Sequence, residues 1–242
     1  MILELDVGNS AVKWRLLNSG EVVDRGVGRD LADCGVFAMG QLRALNVQRC
    51  RLVSVRSEVE TFQLVRALQD AFGVVVAVAR SSHTLDGVVN GYECFSRLGA
   101  DRWLAVVAAF KRYKTACIVI DLGTAITIDW VNSVGRHEGG YIVPGLSLMV
   151  RSLEQGTQRI ESIGQGLEWE SGVGRSTASC VLNGSIAMIR SFVESQVLMA
   201  RDCYGDNCVA VVSGGSGAIL GGIAGLVFEP ELVFDGLAIA CP

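Results

Sequence analysis

One motif occurs twice in this chain and restricts the folds open to it. "LELDVGNSAVKW" runs from Leu3 to Trp14 and "VIDLGTAITIDW" from Val119 to Trp130. Each reads as an apolar strand ending in Asp-x-Gly, a short polar turn and a second strand. The registers align Asp6 with Asp121, Gly8 with Gly123 and Asn9 with Thr124, 115 residues apart, close to half of the 242 residues. A turn as short as "VGNS" joins antiparallel neighbours rather than a strand and a helix, so each copy predicts a hairpin. After the second copy another turn at "NSVG" precedes "HEGGYIV", extending that hairpin to a meander. The expectation is an α/β protein of two similar lobes, residues 1–113 and 114–242, each a mixed sheet that opens on a β-meander and is flanked by helices.

Other β-rich runs, "RLVSV", "VVVAV" and "CVAVVS", alternate with helical patterns at "ETFQLVRALQDAF", "DRWLAVVAAFKRY" and "STASCVLNGSIAMIRSFVESQVLMA". In the last of these, Leu182, Ile186, Ile189, Val193 and Val197 recur at helical spacing and predict a packing stripe. Ser176 and Thr177 stand where N-cap hydroxyls would. Between Gly156 and Gly174 there are five glycines and few periodic apolar residues, which reads as a mobile segment. No Pro-rich linker marks the boundary near Tyr113 to Thr115, which predicts a continuous crossing.

Half of the residues are hydrophobic, yet Asp121, Asp129 and many glycines break the strongest runs well short of the ~20 residues that span a bilayer. Met1 leads straight into "ILELD" without the pattern of a secretory signal, so a cytoplasmic protein with no membrane partner is expected. A net charge of −4 without a dense Lys/Arg run argues against nucleic acid as a partner. The eight cysteines are scattered, with only Cys203 and Cys208 close, and His83 and His137 stand alone. Reduced, mostly buried thiols and no structural metal are expected.

The duplicated hairpin carries a definite chemistry. A carboxylate ending a buried strand can hold a hydrated cation, and the glycine after it lets backbone approach a phosphate. Asn9, Ser10, Thr124 and Thr127 add donors, and Lys13 adds a positive charge. Two such hairpins facing each other across a cleft could grip a polyphosphate, a task for which P-loop proteins use one helix N-terminus; this chain has no P-loop sequence. In "LGADRWLAVVAAF", Asp101 falls at a helix start, where it could act as a plain N-cap or as a base that deprotonates an alcohol. Arg102 beside it could hold a carboxylate by paired hydrogen bonds or be a surface charge, and Tyr92 could line a site or be a half-buried loop aromatic. Asp129 could face the cleft or stabilise strand pairing, and His137 reads as a polar residue at a strand edge.

The paired hairpins resemble those of the acetate and sugar kinase, heat-shock ATPase and actin superfamily, and in more detail the chain resembles the type III pantothenate kinase family. The closer resemblance rests on "DVGNS" with Lys13, "NGY" at Asn90 to Tyr92, "GADRW" at Gly99 to Trp103, "DLGTAITID" and "GGYIVPG", with weaker matches at Thr177, Gly184 and "SGG" from Ser213. It departs near Glu161 to Gly174 and at Ser216, where an acidic residue is common, and these departures bear on the nucleotide-base contacts. The resemblance implies ribonuclease-H-like lobes around an interlobe cleft and ATP-dependent phosphorylation of the primary hydroxyl of pantothenate. It implies ATP binding by Asp6, Val7, Gly8, Asn9, Ser10, Ala11, Val12, Lys13 and Thr124. Substrate binding would fall to Tyr92, Gly99, Ala100, Asp101, Arg102 and Thr177, with Asp101 as the general base. Asp121 would bind a monovalent cation, potassium or ammonium, while Mg²⁺ accompanies ATP, and the enzyme would be a homodimer with its site near the subunit interface. The alternatives are a kinase or phosphohydrolase of the same superfamily acting on another small hydroxy acid, or a non-catalytic nucleotide-binding regulator.

Overall fold

The computed structural model of the chain describes residues 1–33, 46–160 and 172–242. Two compact units are formed, one by Met1–Arg112 with Glu231–Pro242 and the other by Tyr113–Pro230.

The first unit is built on β1 (Ile2–Val7), β2 (Val12–Asn18), β3 (Glu21–Gly28), β4 (Arg49–Ser54) and β5 (Val76–Ala79), in the sheet order β3-β2-β1-β4-β5. β1, β2 and β3 form an antiparallel meander, whereas β4 joins β1, and β5 joins β4, in parallel. β1 is central because Leu3, Leu5 and Val7 are all fully buried. Helix α1 (Glu58–Phe72) makes the crossover from β4 to β5. Ser57 and Glu60 form a reciprocal capping box at its start, and left-handed Gly73 ends it. A two-stranded ribbon, β6 (Thr84–Leu85) and β7 (Val88–Val89), then leads through a 3₁₀ turn at Phe95–Arg97 into α2 (Ala100–Tyr113).

The second unit repeats the plan. β8 (Cys117–Leu122), β9 (Ala125–Val131), β10 (His137–Pro144), β11 (Val209–Ser213) and β12 (Leu226–Phe228) lie in the order β10-β9-β8-β11-β12, again with an antiparallel meander followed by two parallel neighbours. Helix α3 (Leu146–Gly156) follows β10, and α4 (Thr177–Tyr204) precedes β11. The predicted stripe on α4 is packing: Ile189, Val193 and Val197 bury against Ile118, Ile120 and Ile128 of the sheet.

The units do not follow the linear halves of the chain. Residues 231–242, expected in the second lobe, pack with the first unit, where α5 (Leu232–Ala240) is held by a charge network. Glu4, with no exposed surface, accepts from Arg15 Nε at 2.6 Å and from Arg51 Nη1 at 2.8 Å. Arg15 continues to Glu231 at 3.1 Å and Asp235 at 3.7 Å, and its guanidinium lies 4.8 Å from the centre of the Phe234 ring. A buried carboxylate is tolerated only with such partners.

Three smaller expectations need correction or placement. Cys50 and Cys117 are buried, but Cys94, Cys180 and Cys203 are exposed, so the seven described cysteines are free thiols without being mostly buried. His137 opens the edge strand β10, as expected, but is fully buried there; its Nε2 lies 2.8 Å from Asp129 Oδ1, and the ladder shifts register between His137 and Gly139. The core of the glycine-bearing segment expected to be mobile, residues 161–171, lies outside the described residues, as does Cys34. Among the described residues, no helix is long and apolar enough to cross a membrane, and no group of three or more His, Cys, Asp or Glu is placed to hold a metal.

Candidate active site

Both predicted hairpins are present. In the first, the Gly8 N–H donates to the Ala11 carbonyl at 2.9 Å, leaving Asn9 and Ser10 exposed at the tip. Asp6 stands directly opposite Lys13 in the ladder, so the two side chains share one face of the sheet. Val7 and Val12 are buried in the core, so within the stretch 6–13 they can offer a ligand only backbone groups.

The second hairpin is one residue tighter. Its Gly123 N–H donates to the Ala125 carbonyl at 3.1 Å, leaving Thr124 alone at the tip, and Asp121 faces Thr127 rather than a lysine. Two close approaches fix it. Gly214, with φ +92°, packs onto the Asp121 carboxylate and the Leu122 backbone so tightly that a Cβ would collide with both. Gly145, at the N-cap of α3, donates its N–H to the Thr124 carbonyl at 3.0 Å, and a Cβ there would collide with the Gly123 and Thr124 carbonyls. By contrast, Gly8 and Gly123 do not adopt left-handed backbone: a Cβ on Gly123 would meet nothing closer than 3.6 Å, and one on Gly8 would sit 3.2 Å from the Ala11 carbonyl, close enough that the turn would have to give by a few tenths of an ångström. The fold leaves room for a side chain at Gly123 and only a tight place for one at Gly8.

Tyr92 and the stretch Gly99 to Arg102 meet at the start of α2. The Trp103 N–H donates to the Gly99 carbonyl at 3.0 Å, so Gly99 takes the cap position and Asp101 lies inside the first turn rather than at the cap. Asp101 Oδ1 accepts the Arg102 N–H at 2.7 Å, one of the first-turn donors that the helix cannot satisfy itself. Arg102 is 8% exposed, not a surface charge; its Nη1 donates to the Tyr92 hydroxyl at 2.9 Å, and its guanidinium lies 5.7 Å from the Tyr92 ring centre.

Tyr92 is in turn placed by Asn90, a residue quoted in "NGY" but given no role from the sequence. Asn90 is buried; its Oδ1 accepts the Tyr92 N–H at 3.0 Å, and its Nδ2 donates to the Ser82 carbonyl at 3.2 Å. Beside Gly99 and Ala100 opens a cleft of about 510 Å³ whose wall carries Ser54, Arg56, Arg80 and Arg97. Arg80 forks onto Glu58 at 2.5 and 2.9 Å, and this hydrogen bonding holds the Glu58 carboxyl below its ordinary range.

Asp6 to Lys13, Tyr92 and Gly99 to Arg102 thus all belong to the first unit, while Asp121, Thr124 and Thr177 belong to the second. Thr177 is the exposed first residue of α4. The cap there is Ser176, whose Oγ accepts the Ser179 N–H at 3.2 Å, so the Thr177 hydroxyl is not the cap.

A family-wide profile described as type III pantothenate kinase matches residues 2–199. The chain belongs to that family. Among curated type III pantothenate kinases it is 46% identical to that of Pseudomonas aeruginosa (strain LESB58) over 249 aligned residues, covering 100% of this chain and 99% of that protein. It is 43% identical to that of Pseudomonas fluorescens (strain SBW25) over 248 residues, with the same coverage. These full-length matches extend the family relationship through β11, β12 and α5, beyond the span of the profile. For the fold alone, a solved structure of MreB5 from Spiroplasma citri bound to ADP superposes with a TM-score of 0.51 at 12% identity, covering 98% of this chain and 95% of that one. The chain thus shares the fold of that structure along nearly its whole length.

Proposed function

We propose that this chain transfers the γ-phosphoryl group of ATP to the primary hydroxyl of pantothenate, giving 4′-phosphopantothenate, the first step of coenzyme A biosynthesis. One observation carries the assignment of roles: a first-turn aspartate, Asp101, adjoins an arginine held by Tyr92, in the same compact unit as the Asp6–Lys13 hairpin. Phosphoryl transfer asks for an oriented nucleophile, in-line placement and relief of charge on the phosphate oxygens, with little covalent work by the protein.

Asp101 accepts the proton of the attacking hydroxyl. Arg102, turned by its hydrogen bond to Tyr92, holds the pantothenate carboxylate, and Gly99, Ala100 and Thr177 complete the acceptor site. The residues from Asp6 to Lys13, together with Thr124, bind ATP; the exposed amides and side chains of Asn9 and Ser10 meet phosphate oxygens, and Lys13 offsets their charge. A divalent ion, Mg²⁺, accompanies ATP and neutralises phosphate charge when bound, and Asp6, at the end of a buried strand, is the carboxylate of the first hairpin suited to it. Asp121 binds potassium or ammonium. Its carboxylate lies against backbone and faces a neutral threonine, so it fits a weakly hydrated monovalent ion.

The enzyme acts as a homodimer in the cytoplasm. Support for the dimer comes from exposed Ile142, Met188 and Met199 on the second unit and from a mean hydropathy of +0.39. The free thiols suit a reducing compartment. The decisive experiment measures ADP release from Mg-ATP with and without pantothenate, with acetate and hexoses as controls. Turnover should rise with pantothenate alone, in protein that sediments as a dimer at the assay concentration. Equal release with every acceptor would sink the reading, and full activity in a monomer would remove the dimer.

A further inference from the structure

Resting on the reading of the first hairpin as a phosphate-binding turn, we infer that Arg56 is a positioning residue for ATP. It follows β4, the parallel neighbour of β1, and ties three segments together. Arg56 Nε donates to the Gly8 carbonyl at 3.0 Å and Nη2 to the Arg29 carbonyl at 3.1 Å. Its own base is fixed: the Arg56 N–H donates to Ser54 Oγ at 3.2 Å, Thr61 Oγ1 of α1 donates to the same oxygen at 2.9 Å, and the Val55 N–H donates to the Val7 carbonyl at 3.1 Å.

The consequence lies in one peptide plane. The Gly8 carbonyl and the Asn9 N–H belong to the same planar trans unit and point in opposite directions. Holding the Gly8 oxygen toward Arg56 therefore turns the Asn9 N–H the other way, at the exposed tip of the hairpin. Glycine resists a peptide flip less than any other residue, so this plane needs an external hold. A cationic donor on the carbonyl also polarises the peptide and strengthens its N–H as a donor to phosphate. Arg56 never has to touch ATP to set the affinity for it.

The test compares ATP and pantothenate KM values, with thermal melts, for wild type, Arg56→Ala, Arg56→Lys and Arg80→Ala. Arg80 lines the same cleft but is bonded to Glu58, so Arg80→Ala removes equal charge without touching the hairpin. Arg56→Ala should raise the ATP KM about tenfold, the size of one hydrogen bond with a charged partner, and leave the pantothenate KM and the melting temperature near wild type. Arg56→Lys should remain impaired, because a compact ammonium cannot span two carbonyls as the guanidinium fork does. Arg80→Ala should keep the wild-type ATP KM. An unchanged ATP KM in Arg56→Ala, an equal rise in Arg80→Ala, or full rescue by lysine would overturn the inference. Should Arg56→Ala fail to fold, the ATP KM of Arg56→Lys decides alone: raised supports the inference and normal overturns it. Wild-type protein that releases no ADP on adding pantothenate would overturn the kinase reading and this inference together, whereas active wild type with a normal Arg56→Ala overturns this inference only.

Discussion

The β1–β2 and β8–β9 hairpins hold the same place in two sheets of one strand order, yet they differ wherever a ligand could read them. The first has a two-residue tip, a lysine opposite its aspartate, and an arginine side chain holding its glycine carbonyl. The second has a one-residue tip, a threonine opposite its aspartate, and backbone from Gly145 and Gly214 pressed against it. Topology in the two copies is set by the buried apolar strands, which are alike. Chemistry is set by the few polar residues between them, which are not. A hairpin with its own cation can meet phosphate charge directly, whereas one with only a carboxylate and a hydroxyl needs a bound ion to do so. The first hairpin also shares its unit with Asp101, and the second does not.

The largest effect should come from the unit that carries the proposed base. Asn in place of Asp101 keeps an oxygen for the Arg102 N–H, so Asp101→Asn should melt and bind ATP normally while kcat falls ~10²- to 10⁴-fold. Arg102→Ala should instead chiefly raise the pantothenate KM, since its contact is made in ground and transition states alike. Near-normal kcat in folded Asp101→Asn would reduce that residue to a helix-terminal hydrogen-bond acceptor.

A second test sets glycine against glycine. Gly214→Ala combines a left-handed backbone with collisions at Asp121 and Leu122, and should cost about 2–4 kcal/mol of stability. Gly8→Ala meets only the Ala11 carbonyl, at 3.2 Å, and should cost less, about 1 kcal/mol, yet raise the ATP KM, because the proposed ligand approaches the same turn. Equal melting losses in the two variants would erase the contrast between a glycine required by the fold and one required by the ligand. The smallest effect is ionic: turnover with Mg-ATP should be severalfold higher in potassium than in sodium, and Asp121→Asn should abolish the difference. Identical rates in both salts would remove the monovalent ion from the second hairpin.

Much of this was legible because short turns and apolar alternation are local signals. "VGNS" could only close a hairpin, and the apolar spacing on α4 had to face a sheet. What escaped depended on distant or offset partners. "LGAD" contains two residues able to cap a helix, and the glycine, two positions earlier, holds the cap while the aspartate is drawn into the first turn. Asp129 and His137 lie on neighbouring strands without being ladder partners, since His137 stands opposite Val131 and Asp129 opposite Gly140, so alternation alone did not pair them. Arg56 sits in "SVRS", an unremarked strand end whose partner, Gly8, is 48 residues away. Arg102 is buried because a tyrosine ten residues earlier folds back over it, a contact that no periodicity encodes.

The return of α5 has a consequence in time as well as in space. Tyr113–Pro230 is a continuous stretch, so every residue of the second unit has been synthesised before the partners of Arg15 in the network around Glu4 are complete. Glu231 and Asp235 are 216 and 220 positions downstream of Arg15, and until they leave the ribosome that guanidinium has only Glu4 to share with Arg51. The unit holding Asp101 thus begins synthesis first and is completed last, closing a loop of more than a hundred residues as its final act.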